Sequence, residues 1–416
     1  MKILLIHQYF LEKNDGGGSR WNEITRHWAS KGNSITVISG MVHYASGKKP
    51  HKYKGKWIYI DKGFYNNVDV IRTHVSEAYN KNFLGRLWAY FSFVFSGTYA
   101  GLFKCDRKYD IIVATSPPLF VGIIAYILSK FRKIPFVFEV RDLWPESAID
   151  TGVLKNQFLI KFSFWFERFI YKRAIFINAL TPAFKEKLIK EKGVSEHKIT
   201  MIPNAADFSL AESLIDTLDV KEFRRINNIE DKFVITYVGA HGVANHLIQL
   251  IEVAERLRDT NVLFQLIGDG MLKEYLIDEV KTRKLENVRF IDPVPKSEVF
   301  KYILSSDVGT SVLKKNDTFK TIYSNKTFDY MACKKAVLLL IDGVSRELVE
   351  TANCGVYAEP ENLDDIEKKI RHLLALSKNE LNLMGINGYN YAKKYFDRVT
   401  LAEYYLIKLK DVRKNR

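Results

Sequence analysis

Five short stretches carry residues that could meet a phosphorylated ligand. In "NDGGGSR" (14–20), Gly16, Gly17 and Gly18 stand between an apolar run and a helical pattern. Backbone without side chains at such a junction is either a tight turn or a cradle that lets an anion approach helix amides. In "FEVRDLWPESAIDTG" (138–152), Glu139, Arg141, Asp142 and Glu146 fall at or just past a strand end. Arg141 could pair with a phosphate and Asp142 could accept or orient a proton. The same charges could equally form a salt-bridged loop packed on Trp144. "YVGAHGVANH" (237–246) holds a second glycine loop, Gly239 to Gly242, and "IGDG" (267–270) closes a third with Gly268, Asp269 and Gly270. "YSNKTFDY" (323–330) places Ser324, Asn325 and Lys326 at a helix start, with Asp329 one turn in. Amides plus an ammonium could hold a diphosphate, and the carboxylate could take ribose hydroxyls.

Those stretches need elements to aim them. Strand-like runs alternate with helix-like runs along the chain, which predicts α/β architecture with parallel strands covered on both faces. "KILLIHQYF", "SITVIS", "YDIIVATS" and "IPFVFEVRD" form one series. "KFVITYVGA", "VLFQLIGDG" and "AVLLLI" form a second. The reading is two Rossmann-like domains facing across a central cleft: residues 1–205, residues 206–395, and a C-terminal helix over 396–416 packing back on the first. The polar stretch 206–231 reads as a linker. Ligands of such sheets sit beyond the carboxyl ends of strands, where the glycine loops and Arg141-Asp142 fall.

The net charge of +15 is not spread evenly. Residues 1–205 contain 31 Lys and Arg against 16 Asp and Glu, a difference of +15, and the remainder balances at 32 against 32. A basic half implies an anionic partner for that half. No RNP signature, zinc-finger spacing or basic recognition helix speaks for nucleic acid. Residues 83–103 carry one charge, Arg86, among many aromatics, and "LIKFSFWFERFIYKRAIF" (159–176) interleaves rings with cations. That mixture suits a membrane interface, and it equally suits buried helices. The first stretch approaches the ~20 residues a spanning helix needs. The favoured expectation is a protein docked on the inner face of the plasma membrane, cytoplasmic and peripheral. Three widely spaced cysteines and the absence of a leader-like N-terminus accord with a reducing compartment. No metal-ligand spacing is present.

In their order, "GGGSRWNEITRHWASKGNSITVISG", "VRDLWPES", "IPNAAD" (202–207), "VGAHGVA", "IGDG" and "SNKTFDYMACKKAV" resemble the family 4 glycosyltransferases of the GT-B fold, especially the branch that builds bacterial surface polysaccharides. The resemblance implies a nucleotide sugar in the second domain. Lys326 and the 324–326 amides would meet its diphosphate, Asp329 would take the ribose, and the loops at 239–242 and 268–270 would line the pocket. Val294 lies where relatives contact the base through backbone. The acceptor would lie in the first domain, with Gly16–Gly18 near the reacting phosphates and sugar. No metal or other cofactor is implied. Two departures stand out. Thr321 occupies the place of the motif's first glutamate, and His241 and Asn245 stand where an Arg and a Lys usually clamp the diphosphate. The implied activity is retaining transfer from a nucleotide sugar, a UDP-sugar, to a lipid-linked saccharide in O-antigen or capsule synthesis. Arg141 and Asp142 are the catalytic candidates. A non-hydrolysing sugar-nucleotide epimerase, which would turn over without acceptor, and a degenerate scaffold of a polysaccharide-assembly complex are the alternatives.

Overall fold

The apolar runs Ile3–Ile6, Ile111–Ala114 and Ala336–Leu340 are buried at every position, as strands covered on both faces must be. The computed structural model describes residues 1–13, 15, 20–43, 47–80, 83–150 and 154–414. The loop Gly16, Gly17 and Gly18 lies outside the described residues. The chain divides into two units, one comprising described residues within 1–13, 20–203 and 399–414, the other Asp15 and 204–398.

The first unit holds β1 (Lys2–Ile6), β2 (Ser34–Gly40), β3 (Ile58–Tyr65), β4 (Val68–Thr73), β5 (Ile111–Thr115), β6 (Phe136–Val140), β7 (Ile177–Ala179) and β8 (Ile199–Met201). They form one sheet in the order β3-β4-β2-β1-β5-β6-β7-β8, with only the β3–β4 pair antiparallel. The order reverses at β1, where the chain leaves β2 on one side and returns as β5 on the other. One sheet face carries the helix Arg20–Ser30 and the terminal helix Arg398–Lys414. Trp21, Trp28 and Tyr405 pack there as a triad with ring centroids 5.5–5.9 Å apart, and Trp28 Nε1 donates to the Ala402 carbonyl at 2.8 Å. The opposite face carries the helices Phe83–Phe103, Val121–Arg132 and Gln157–Arg173.

The second unit holds β9 (Phe233–Val238), β10 (Val262–Ile267), β11 (Val288–Ile291), β12 (Val308–Val312), β13 (Ala336–Leu340) and β14 (Gly355–Tyr357). They are parallel throughout, in the order β11-β10-β9-β12-β13-β14, so this sheet reverses between β9 and β12. The stretch 206–231, read above as a linker, carries two helices, Phe208–Ile215 and Val220–Ile226. Asp207 and Asp219 cap them, and Phe208 and Ala211 enter the core. The second helix buries no residue. The C-terminal helix read over 396–416 runs Arg398–Lys414, and Phe396-Asp397 separates it from the preceding helix Lys378–Tyr395.

Candidate functional site

At the reversal point of the second sheet, bare backbone is required by contact. Gly239 and Gly268 both adopt positive φ, +141° and +144°. A Cβ on Gly268 would lie 1.9 Å from the Gly239 carbonyl oxygen, and one on Gly270 would lie 2.6 Å from that of His241. The loops after β9 and β10 are also hydrogen-bonded to each other. His241 N donates to the Asp269 carbonyl at 2.9 Å, and Leu272 N to the His241 carbonyl at 3.0 Å. "VGAHG" and "IGDG" are therefore one structure. Gly268→Ala combines a disallowed backbone with a direct clash, and it should lower the melting temperature. Thermal unfolding checks this; an unaltered melting temperature would show that the two loops accommodate the added methyl group.

The third stretch meets the first two. Lys326 extends over the glycine turn: a Cβ on Gly239 would sit 3.2 Å from Lys326 Cε, and the ammonium lies 4.7 Å from the Tyr237 ring centroid. No carboxylate among the described residues is within ion-pair distance of it. Surrounding protein strips water from this ammonium and lowers its pKa to about 8, with Asp329 opposing the shift. Lys326 lies in the first turn of the helix Asn325–Ala332, whose leading amides bear partial positive charge. That helix is held in register by Tyr330, whose hydroxyl donates to the Thr310 carbonyl at 3.0 Å and accepts from Val238 N at 3.1 Å. Ser324, just before it, is buried with its amide on Ser345 Oγ, and Asn325 is exposed. Thr321 is buried and donates to the Thr318 carbonyl at 2.7 Å.

Asp329 has its pKa raised to about 6, chiefly by burial; Lys296 and Lys326 pull it down and Asp207 pushes it up. Lys296 Nζ donates to Asp207 Oδ2 at 2.7 Å. Val294 occupies the turn between β11 and the helix Lys296–Leu304 and is half-buried. The last "IPNAAD" residue and the Val294 turn thus share one charge network with Asp329. Lys296 and Lys273 are charged neighbours of these loops that sequence reasoning missed. Lys273 Nζ donates to the Gly268 carbonyl at 3.0 Å and to Asp292 at 2.5 Å. Its position three residues after "GDG" was the available signal.

His241 is fully buried, and neither ring nitrogen has a hydrogen-bond partner among the described residues. Burial first, then Lys273, lower its pKa to about 4, so it stands as a neutral imidazole with a donor and an acceptor unspent. Asn245 ends the turn Val243–Asn245, its amide on the Gly242 carbonyl at 3.1 Å.

In the first unit the charges of "EVRDLWPE" (139–146) separate into two groups. Glu139 is the penultimate residue of β6 and is fully buried. It takes Arg20 in a two-point ion pair at 3.1 and 3.2 Å and Asn178 Nδ2 at 2.9 Å. Arg20 also donates to the carbonyls of Ile202 and Pro203. Glu146 is likewise engaged, by Lys192, which bridges to buried Glu167 at 2.8 Å. Arg141 and Asp142 follow the strand. The Arg141 amide donates to Ser116 Oγ at 3.3 Å, and Asp142 accepts from Ser147 Oγ at 2.9 Å with its pKa raised by burial. Beside them is buried His7, held neutral by burial first and then by Arg141 and Arg72.

Residues 15–205 match the family model described as a glycosyl transferase 4-like domain, and residues 219–391 match glycosyl transferases group 1. The chain belongs to the family 4 glycosyltransferases. The enzyme is 24% identical over 386 residues to the putative colanic acid biosynthesis glycosyl transferase WcaI of Escherichia coli, covering 91% of this chain and 93% of that protein. It is 25% identical over 306 residues to an Escherichia coli UDP-Gal:alpha-D-GlcNAc-diphosphoundecaprenol alpha-1,3-galactosyltransferase, covering 69% and 73%. Among solved structures, Anabaena HepE in complex with UDP-glucose superposes with a TM-score of 0.71 at 17% identity, over 99% of this chain and 100% of that one. The Escherichia coli trehalose-6-phosphate protein bound with UDP-2-fluoro glucose gives 0.74 at 11% identity, over 99% of each chain. These likenesses show the GT-B fold.

Proposed function

We propose that the enzyme moves a sugar, with retention of configuration, from a UDP-sugar to a lipid-linked saccharide during assembly of a bacterial surface polysaccharide of the O-antigen or capsule kind. The observation that carries this reading is the desolvated Lys326 ammonium poised over the Gly239 turn, one helical turn from Asp329. An unpaired cation beside helix amides and bare backbone suits a diphosphate. A carboxylate three residues along the same helix suits a ribose diol. The charge that develops on the leaving diphosphate is met by Lys326 and the amides, and the proposal assigns no metal to that step. The diphosphate-linked saccharide acceptor named for one relative and the colanic acid assignment of another support the acceptor class.

The two pKa shifts make a pH prediction. Asp329 can accept from two hydroxyls at once, with the strength of a charge-assisted bond, as a carboxylate, above about pH 6. Lys326 is cationic only below about pH 8. The kcat/KM for donor should therefore be bell-shaped, with limbs near those values. Asp329→Asn should raise the donor KM and remove the acid limb. Measurement uses the purified enzyme with a panel of nucleotide sugars and a lipid-diphosphate saccharide. Turnover without acceptor would identify an epimerase, and failure to bind any nucleotide sugar would identify a scaffold.

A further inference from the structure

We propose that the outward face of the helix layer Phe83–Phe103, Val121–Arg132 and Gln157–Arg173 docks on an anionic lipid bilayer. The inference does not rest on what the enzyme transfers.

The helix Phe83–Phe103 is apolar on two sides. Its inner side packs so closely that a Cβ on Gly101 would come within 2.4 Å of Leu128 in the neighbouring helix. The glycines that interrupt this run are therefore a packing seam. On the outer side Trp88, Phe95 and Phe103 are 55, 63 and 68% exposed. Their spacing keeps them on one stripe. Phe131 ends the next helix, and Phe158 and Trp165 continue the layer on the third, all three exposed. Helices covering one face of a sheet point their remaining sides the same way, so these rings form one surface. Scattered exposed apolar residues are ordinary, but aromatic rows on adjacent helices mark an interaction face.

Charge decides the occupant. The three helices hold seven Lys and Arg against one carboxylate, Glu167. Glu167 is buried against Lys192, so it does not offset the outward charge. Lys130, Lys161, Arg168 and Lys172 are exposed beside the rings. A second copy of the chain would set like charge against like, whereas anionic headgroups complement the cations while rings enter the interface. No helix among the described residues is long and apolar enough to cross a membrane. Docking in the interface plane is the arrangement that remains for this layer.

The test is co-flotation of the full chain with vesicles of phosphatidylcholine alone or with roughly a third phosphatidylglycerol. Binding to the anionic vesicles should exceed binding to neutral ones about tenfold and fall as salt is raised from ~0.1 to ~0.5 M. The variants Trp88→Ser/Phe95→Ser/Trp165→Ser and Lys161→Glu/Arg168→Glu/Lys172→Glu should each lose at least ~10-fold in partition with unchanged melting curves, since every altered side chain is exposed. The proposal is overturned by equal binding to both vesicle types, or by folded variants that float like the wild type. A concentration-dependent dimer that the ring substitutions dissolve, without vesicle binding, would also overturn it.

Discussion

Lys326→Ala should lower kcat/KM for transfer by ~10³-fold, the scale seen when a single charge-stabilising donor is removed from a leaving group, while the melting temperature holds or rises. The reason lies in the cost of keeping that ammonium where it is. Its pKa falls to about 8, so the folded state favours the neutral amine. That effect stabilises the fold above the unfolded pKa and is lost as pH falls through 8. At neutral pH the charged Lys326 is therefore a burden on the unliganded protein. Asp329 behaves in parallel. Its raised pKa favours the protonated form, a contribution present below the unfolded pKa and lost as pH rises through 6. Two groups that both cost stability near pH 7 mark a site kept for a ligand. Binding a diphosphate should raise the Lys326 pKa, so donor binding above pH 8 takes up a proton. Calorimetry in buffers of different ionisation enthalpy measures that uptake. An alanine variant that melts lower and transfers normally would make Lys326 a packing residue.

Glu139→Ala should have the largest effect on folding. The carboxylate is fully buried, and it neutralises Arg20, itself buried. Removing one partner strands a charge inside the protein, which costs about 3–5 kcal/mol. For a unit of this size that lowers the melting temperature by roughly 10 °C. The loss should appear in thermal or urea unfolding before any change in donor KM. Arg20→Met/Glu139→Leu removes both charges and should recover part of it, because a paired burial is expensive to halve and less so to delete. A double variant as weak as the single one would assign the loss to the backbone contacts of Arg20 with Ile202 and Pro203 instead.

Much of the fold was legible because it rests on local signals. Runs such as "ILLI" and "AVLLL" declare strands covered on both faces, and the glycine loops declare where strands turn into a site. Lys326 and Asp329 share one helix, so three-residue spacing alone put them together. The partner of Glu139 was not legible, because Arg20 lies 119 residues away in the chain and only folding brings the two together. The 206–231 helices were hidden because both are short and bury two residues and none, too few to set up a periodic apolar stripe.

By itself, then, the sequence determined the alternation of strands and helices, the backbone freedom at Gly239 and Gly268, and the charge asymmetry between the halves. Each is a property of residue type and short-range spacing. Only the tertiary structure decided which charges are partners. Arg20 joins Glu139 and the 202–203 carbonyls, Lys192 joins Glu146 and Glu167, and Lys326 has no carboxylate in ion-pair reach among the described residues. The physical reason is that desolvation sets the worth of a charge, and desolvation is a product of packing between segments far apart in the chain.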